Sequence, residues 1–217
     1  GVGTKWSEKE REIYNFHELR KELREEGVVF KTKGDTEVLF YWLIAHGKKG
    51  IESLNGCFAF AFYDQQAEEL LLARDRMGQK PLFYSLEDKS FSFASELSAM
   101  RPYISEFVPD QEAMSIYLRL GYIPAPKSAV KSIKKVLSGE CVIVNEKGVT
   151  SERYYKPSIQ STDSPTSLKA DLENAVNLRL ISDRPVGTFL SGGIDSSIIT
   201  ALAVKNHRGI DSFSIGF

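Results

Sequence analysis

Apolar positions recur at helical spacing from Asn15 onward: Phe16, Leu19 and Leu23 share one face, and Gly27 closes the segment. Residues 28–30 form a short extended run. Gly34-Asp35-Thr36 then offers a turn and an N-cap before a strongly apolar helix over residues 38–45, which stops near Gly47. The middle of the chain changes period. Residues 57–63 and 70–73 flank a polar turn at 65–68, residues 82–85 and 90–94 flank Glu87-Asp88-Lys89, and residues 140–145 and 149–154 flank Glu146-Lys147-Gly148. These read as three antiparallel hairpins. Residues 110–120 read as a helix and 122–126 as an irregular connector, while residues 1–11 show no periodicity and no evident structural role.

After Tyr155 the pattern shifts. Residues 156–165 are polar and bounded by Pro157 and Pro165, as an interdomain linker would be. An amphipathic helix follows, with Leu168, Leu172, Ala175, Val176 and Leu180 at helical spacing. Residues 186–190 read as a buried strand, Ser191-Gly192-Gly193 as a turn free to take positive φ, residues 198–204 as a helix, and 212–217 as a second apolar strand. A helix followed by β-α-β is the start of a parallel α/β sheet. Two strands and two helices bury too little apolar area to stand alone, so this second part reads as cut short at its C-terminal end. The predicted organisation is a first domain over 1–155, a linker over 156–165 and a second domain over 166–217.

Composition narrows the field. The 217 residues carry 28 basic and 29 acidic side chains, so electrostatics does not favour nucleic acid as a partner. No apolar run reaches the ~18 residues of a membrane helix, and the first ten residues lack the apolar core of a signal peptide. Cys57 and Cys141 are too few and too far apart for a disulfide framework. A cytoplasmic protein without membrane partners is expected.

The chemistry concentrates at Ser191-Gly192-Gly193-Ile194-Asp195-Ser196. Strand, glycine turn and helix start together make an anion site, where backbone N–H groups and small hydroxyls converge. The common phosphate loop follows its second glycine with lysine and Ser/Thr, whereas this one carries Asp195. A carboxylate beside phosphate is repulsive unless a cation such as Mg²⁺ lies between them, which suggests a metal-bridged di- or triphosphate. Taken alone, the stretch could also be a strand-to-helix turn with Asp195 as its cap. The flanking elements favour a nucleotide.

Elsewhere the plain readings come first. Cys57 and Cys141 sit in apolar strands and read as core packing. His17, His46 and His207 have no metal-ligand spacing, and Gly-x-Ser-x-Gly is absent. Asp35 is by default a helix cap. The stretch Arg74-Asp75-Arg76-Met77-Gly78-Gln79-Lys80-Pro81 would by itself be a solvated, charged loop.

Read together, six blocks occur in the order found in glutamine-hydrolysing asparagine synthetases. They are Glu12-Ile13-Tyr14-Asn15-Phe16, Gly34-Asp35-Thr36-Glu37-Val38, Leu54-Asn55-Gly56-Cys57-Phe58-Ala59-Phe60, Ala73-Arg74-Asp75-Arg76-Met77-Gly78-Gln79-Lys80-Pro81-Leu82, Phe93-Ala94-Ser95-Glu96 and the stretch 190–197. From about Glu12 the chain resembles that family. The resemblance implies an α+β N-terminal-nucleophile-type α/β/β/α sandwich, incomplete here, followed by the start of an α/β parallel-sheet ATP-pyrophosphatase domain. It implies glutamine hydrolysis by an N-terminal cysteine and passage of the ammonia to a second site. There ATP activates aspartate as β-aspartyl-AMP, which ammonia converts to asparagine with release of AMP. Glutamine, aspartate and ATP are the implied small-molecule partners, with Mg²⁺ as cofactor and a homodimer possible in the full-length parent. By resemblance Glu12 and Asp35 bind the amino end of glutamine, reversing the default for Asp35. Ser191, Gly192, Gly193 and Ser196 hold pyrophosphate, Asp195 ligands Mg²⁺, and Leu190 and Ile215 frame the adenosine.

The departures from the family are specific. The chain begins with Gly1, no cysteine lies near it, and an arginine-bearing strand that grips the glutamine carboxylate is missing. Glu10-Arg11 stand where the family has an oxyanion-hole Asn-Gly, and a carboxylate there would repel a developing oxyanion. The chain as it stands is expected to complete neither half-reaction and to be a fragment or mis-started reading frame. Two rivals stay open at this point. One is a relative acting on another carboxylate, as beta-lactam-forming synthetases or sugar amidotransferases do. The other is a non-catalytic remnant that binds glutamine or nucleotide.

Overall fold

Trp6–Ser7 (β1) and Arg11–Ile13 (β2) both pair antiparallel with one long strand, Gly56–Asp64 (β3). This corrects the expectation that the first eleven residues have no structural role. The computed structural model describes residues 6–7, 11–88, 90–157, 167–182, 185–207 and 209–216. Two units are distinguished, Gly1–Pro157 and Ser158–Phe217. Most of the expected linker, residues 158–165, lies outside the described residues, as does Phe217.

In the first unit, Phe16–Glu25 (α1) ends as its glycine requires. Gly27 takes φ +92°, and the N–H of Val28 reaches back to the carbonyl of Leu23 at 2.9 Å. Residues 28–30 form no strand. Asp35–His46 (α2) starts three residues before its apolar run, with Gly34 in the capping position. β3 turns into Glu69–Arg74 (β4), which pairs with Glu140–Asn145 (β8), itself in a hairpin with Gly148–Arg153 (β9). The first sheet therefore runs β1-β3-β4-β8-β9 with β2 alongside β3. Phe83–Glu87 (β5), Ser90–Ala94 (β6) and Lys134–Lys135 (β7) make a separate sheet in the order β6-β5-β7. Gln111–Leu120 (α3) is capped at one end by the Asp110 side chain, which accepts from Ala113 N at 3.0 Å, and at the other by Gly121 at φ +77°.

β3 shows why its apolar run is unbroken. Phe58, Phe60 and Phe62 join Leu19, Leu23, Val38, Leu39 and Leu43 in the core beneath α1 and α2. Ala59 and Ala61 face the other way and pack with Leu72, Leu82, Val136, Val142, Tyr84 and Phe93 between the two sheets. A strand covered on both faces needs apolar side chains at both parities. Large residues face the helices and small ones the second sheet, which lets the two sheets approach closely. The outer side of that sheet is closed by Met100, Ile104, Val130 and Ile133 against Phe83 and Ala94. The layers are helices, sheet, sheet and an outer cover.

The second unit comprises Leu168–Arg179 (α4), Gly187–Phe189 (β10), Ile194–Asn206 (α5) and Asp211–Phe213 (β11). β10 and β11 pair in parallel, Gly187 opposite Asp211 and Phe189 opposite Phe213, as a β-α-β unit should. α4 and α5 are linked by Lys205 to Glu173 at 2.8 Å and by Asn206 to Asn177 at 2.8 Å. The expectation of a buried strand at 186–190 is overturned. Phe189 is 81% exposed and Phe213 56%, because a two-stranded sheet covers so little of its own faces. Val176 and Ala203 are the buried apolar residues here among those described.

Candidate functional site

Glu12 and Asp35 come from different elements and meet through one backbone group. Glu12 lies on β2, opposite Cys57 of β3, and Asp35 is the first residue of α2. The N–H of Ile13, the residue after Glu12, donates to Asp35 Oδ2 at 3.1 Å. Asp35 therefore does not cap its own helix, against the default reading. Its carboxylate is turned onto the neighbouring strand. Close approach is required here: a Cβ on Gly56 would lie 2.1 Å from the Glu12 carbonyl oxygen.

The turn that presents Asp35 is held from below. Arg20 of α1, 8% exposed, donates from its two terminal nitrogens to the carbonyls of Thr32 and Gly34, both at 2.8 Å. Its guanidinium also lies 4.5 Å from the centre of the Phe30 ring. Glu37 closes the same turn by accepting from the N–H groups of Lys31 and Thr32 at 2.8 and 2.6 Å and from the Thr32 hydroxyl at 2.7 Å. Although desolvation acts the other way, these bonds hold the Glu37 carboxyl below its ordinary range.

Behind Glu12 runs a set of polar contacts that residue-by-residue reading missed. The hydroxyl of Tyr14 donates to Glu12 Oε2 at 3.0 Å and lies 3.4 Å from the sulfur of Cys57. The Cys57 thiol in turn meets the side-chain oxygen of Gln79. Cys57 is buried, as expected, but its neighbours are polar and it is more than packing. Burial pushes the Tyr14 phenol well above its ordinary range, and the Cys57 and Glu12 contacts add to the shift. Glu12 and Tyr14 stand only two apart in the chain, in β2 and just beyond it.

Gln79 belongs to the charged stretch expected to be a solvated loop, and that expectation fails. Asp75 is 1% exposed and its carboxylate accepts from the N–H groups of Met77, Gln79 and Lys80 at 3.1, 2.9 and 3.0 Å. Arg74 donates to the carbonyls of Lys80, Val136 and Gly78, each at 2.7 Å. The charges are spent inward, on backbone groups that β-structure would otherwise have paired. The loop is a built support for Gln79.

In the second unit, Gly192 takes φ +82° between β10 and α5, as the sequence suggested. The helix starts at Ile194 with no side-chain cap, so the first-turn N–H groups point out of its end. Ser196 Oγ accepts from Ser191 N at 3.2 Å, lies 3.0 Å from Ser191 Oγ, and donates to the Gly193 carbonyl at 3.2 Å. Ser191, Gly192, Gly193 and Asp195 are exposed and Ser196 half-buried. Leu190 donates its N–H to Phe213 O at 2.8 Å and accepts from the Ser214 hydroxyl at 2.6 Å, with Ile215 exposed one residue further on. Asp195 stands in the first turn of α5. Among the described residues no group of three or more His, Cys, Asp or Glu could hold a metal ion. A single carboxylate beside an uncapped helix end suits Mg²⁺ brought in by phosphate, whose oxygens and water complete its shell. Glu10 lies outside the described residues.

Comparison with known proteins finds two matches along the chain. Residues 9–155 match the family described as glutamine amidotransferase domain, and residues 167–217 match asparagine synthase. "Asparagine synthetase [glutamine-hydrolyzing] 1" of Bacillus subtilis is 34% identical over 212 residues, covering 95% of this chain and 34% of that protein. "Asparagine synthetase [glutamine-hydrolyzing] 3" of the same organism is 39% identical over 200 residues, covering 88% and 32%. The chain thus spans about a third of the length of these relatives. Among solved structures, a glutamine phosphoribosylpyrophosphate amidotransferase from B. subtilis, complexed with ADP and GMP, aligns with TM-score 0.50 at 20% identity, over 99% of this chain and 48% of that one. That likeness concerns the fold and bears out the expected sandwich. With its family match extending over two thirds of its residues, the chain belongs to the glutamine amidotransferase domain family.

Proposed function

We propose that the chain is part of an enzyme that takes ammonia from glutamine and uses ATP to amidate aspartate to asparagine. The carrying observation is the Ile13–Asp35 bond, which sets the Asp35 carboxylate beside the Glu12 strand within an amidotransferase fold. Two anionic groups at the end of a strand and the start of a helix suit the α-ammonium of glutamine. On this reading the first domain, 1–155, handles glutamine and 166–217 begins the ATP-using domain. No residue of this chain is assigned as the nucleophile. Cys141 lies in the apolar core and the Cys57 thiol is tied to Gln79.

In the second domain, Ser191, Gly192, Gly193 and Ser196 are the residues proposed to hold pyrophosphate, through N–H groups at the helix end and two hydroxyls. Asp195 would ligand Mg²⁺, which when bound neutralises charge on the departing pyrophosphate. Leu190 and Ile215 would frame adenosine, Leu190 through the free lone pair of its carbonyl. On the resemblance alone, the proposal extends to a cytoplasmic setting and a homodimer at natural length.

The test is aspartate-dependent exchange of pyrophosphate into ATP by the natural-length protein, with Asp195→Ala beside it. Exchange that needs aspartate, and its loss in the variant while glutaminase activity persists, is the expected result. Exchange at the parent rate in Asp195→Ala would remove Asp195 from the metal site.

A further inference from the structure

We propose that Tyr14 is a positioning residue for glutamine selection, its buried hydroxyl, set against the buried Cys57 side chain, holding the Glu12 carboxylate in one orientation. The inference rests on the reading of Glu12 as a ligand of the glutamine amino group.

Glu12 is exposed, and an exposed glutamate samples many rotamers. Its carboxylate is not left to do so. The Tyr14 hydroxyl, from a residue only 8% exposed, donates to Oε2 at 3.0 Å, so the donor is fixed by the core while the acceptor faces solvent. The hydroxyl lies against Cys57 Sγ at 3.4 Å, while the single thiol hydrogen of Cys57 is donated to the side-chain oxygen of Gln79. Gln79 is anchored by its own N–H on the buried carboxylate of Asp75. The links sit on β2 and the residue after it, on β3, and on the loop whose N–H groups at Met77, Gln79 and Lys80 are held by Asp75. One oxygen of Glu12 is engaged by the phenol. Among the described residues the other has no hydrogen-bond partner and can meet a cation, its direction set before ligand arrives.

This arrangement gives Tyr14 a signature that packing alone would not. Its effect passes through the carboxylate, so it should appear only with ligands that carry the α-ammonium. Tyr14→Phe keeps the ring and removes the hydroxyl. In the natural-length protein, glutamine is compared with its des-amino analogue, 4-carbamoylbutanoate, as a binding competitor, for the parent, Tyr14→Phe and Glu12→Gln. Binding is read by calorimetry and by the KM and kcat of glutamine hydrolysis.

The expected result is a roughly five- to tenfold weaker glutamine affinity and higher KM in Tyr14→Phe, with kcat and analogue affinity little changed. Glu12→Gln should show the same selectivity more strongly. If Glu12→Gln is selective for glutamine but Tyr14→Phe weakens both ligands equally, or neither, the positioning role is overturned and the Glu12 assignment stands. If Glu12→Gln shows no selectivity, both fall. Adding Cys57→Ala to Tyr14→Phe should produce no further loss of glutamine affinity, because the hydroxyl set against Cys57 is already gone. A full additive loss would contradict the chain of contacts.

Discussion

Asp35 accepts the backbone N–H of Ile13 at 3.1 Å, so one carboxylate both ties α2 to β2 and carries charge beside Glu12. The two jobs separate by substitution. Asp35→Asn keeps an oxygen for Ile13 and loses the charge, and should leave stability within about 1 kcal/mol while weakening glutamine binding roughly ten- to a hundredfold. Asp35→Ala should lose both, with about 1–3 kcal/mol of unfolding free energy gone because the Ile13 N–H is left unpaired. Urea unfolding together with glutamine titration checks this. Equal glutamine affinity in parent and Asp35→Asn would deny the charge its role.

Arg20 supports the same turn from inside α1, bridging the Thr32 and Gly34 carbonyls against Phe30. Arg20→Met retains most of the buried stem but frees both carbonyls. A loss of about 2–4 kcal/mol is expected, since bonds from a charged donor exceed neutral ones. Arg20→Lys should recover only part of it, because an ammonium cannot span two carbonyls as the guanidinium fork does. A Lys variant as stable as the parent would show that charge, and not the bridge, is what matters.

Alkaline pH should destabilise the first unit. Burial pushes the Cys141 thiol up to about 11, with the nearby Glu152 adding to the effect. Burial also raises Tyr14, Tyr84 and Tyr154. Unfolded cysteine and tyrosine ionise near ~8.5 and ~10. The unfolded chain therefore releases protons first, so the contribution of these groups is complete below pH ~8.5 and declines as pH rises toward their folded values. Urea midpoints measured from pH 7 to 10.5 should fall steadily above about pH 9. A flat profile would contradict the burial of these groups.

What the sequence made legible follows from local physics. The 3.6-residue spacing of Phe16, Leu19 and Leu23 and the glycine at 27 act within a few residues, and α1 formed as they predict, as did the helix read over 110–120. Hairpin alternation placed β3 with β4 and β8 with β9. The strand Arg11–Ile13 was illegible because three residues, two of them charged, carry no period of their own and are strand only by pairing with β3. For Asp35 local reading alone offers a cap, because capping is the local use of aspartate; only the resemblance reverses that default, and the partner it takes, Ile13 N–H, lies 22 residues away. The loop from Arg74 to Lys80 misled because charged side chains are read as solvated, whereas here they bond backbone groups of their own turn and of Val136. At β10 the apolar run marked the strand correctly but not its exposure, which depends on neighbouring strands.

The most direct measurement is the fate of the glutamine amide nitrogen. Natural-length protein is incubated with glutamine ¹⁵N-labelled in the side chain, aspartate, ATP and Mg²⁺, and the products are followed by mass spectrometry. The expected result is ¹⁵N in the side-chain amide of asparagine, formed together with AMP and pyrophosphate. Glutamine hydrolysis with no labelled asparagine, or label appearing in an amide of another acceptor, would contradict it.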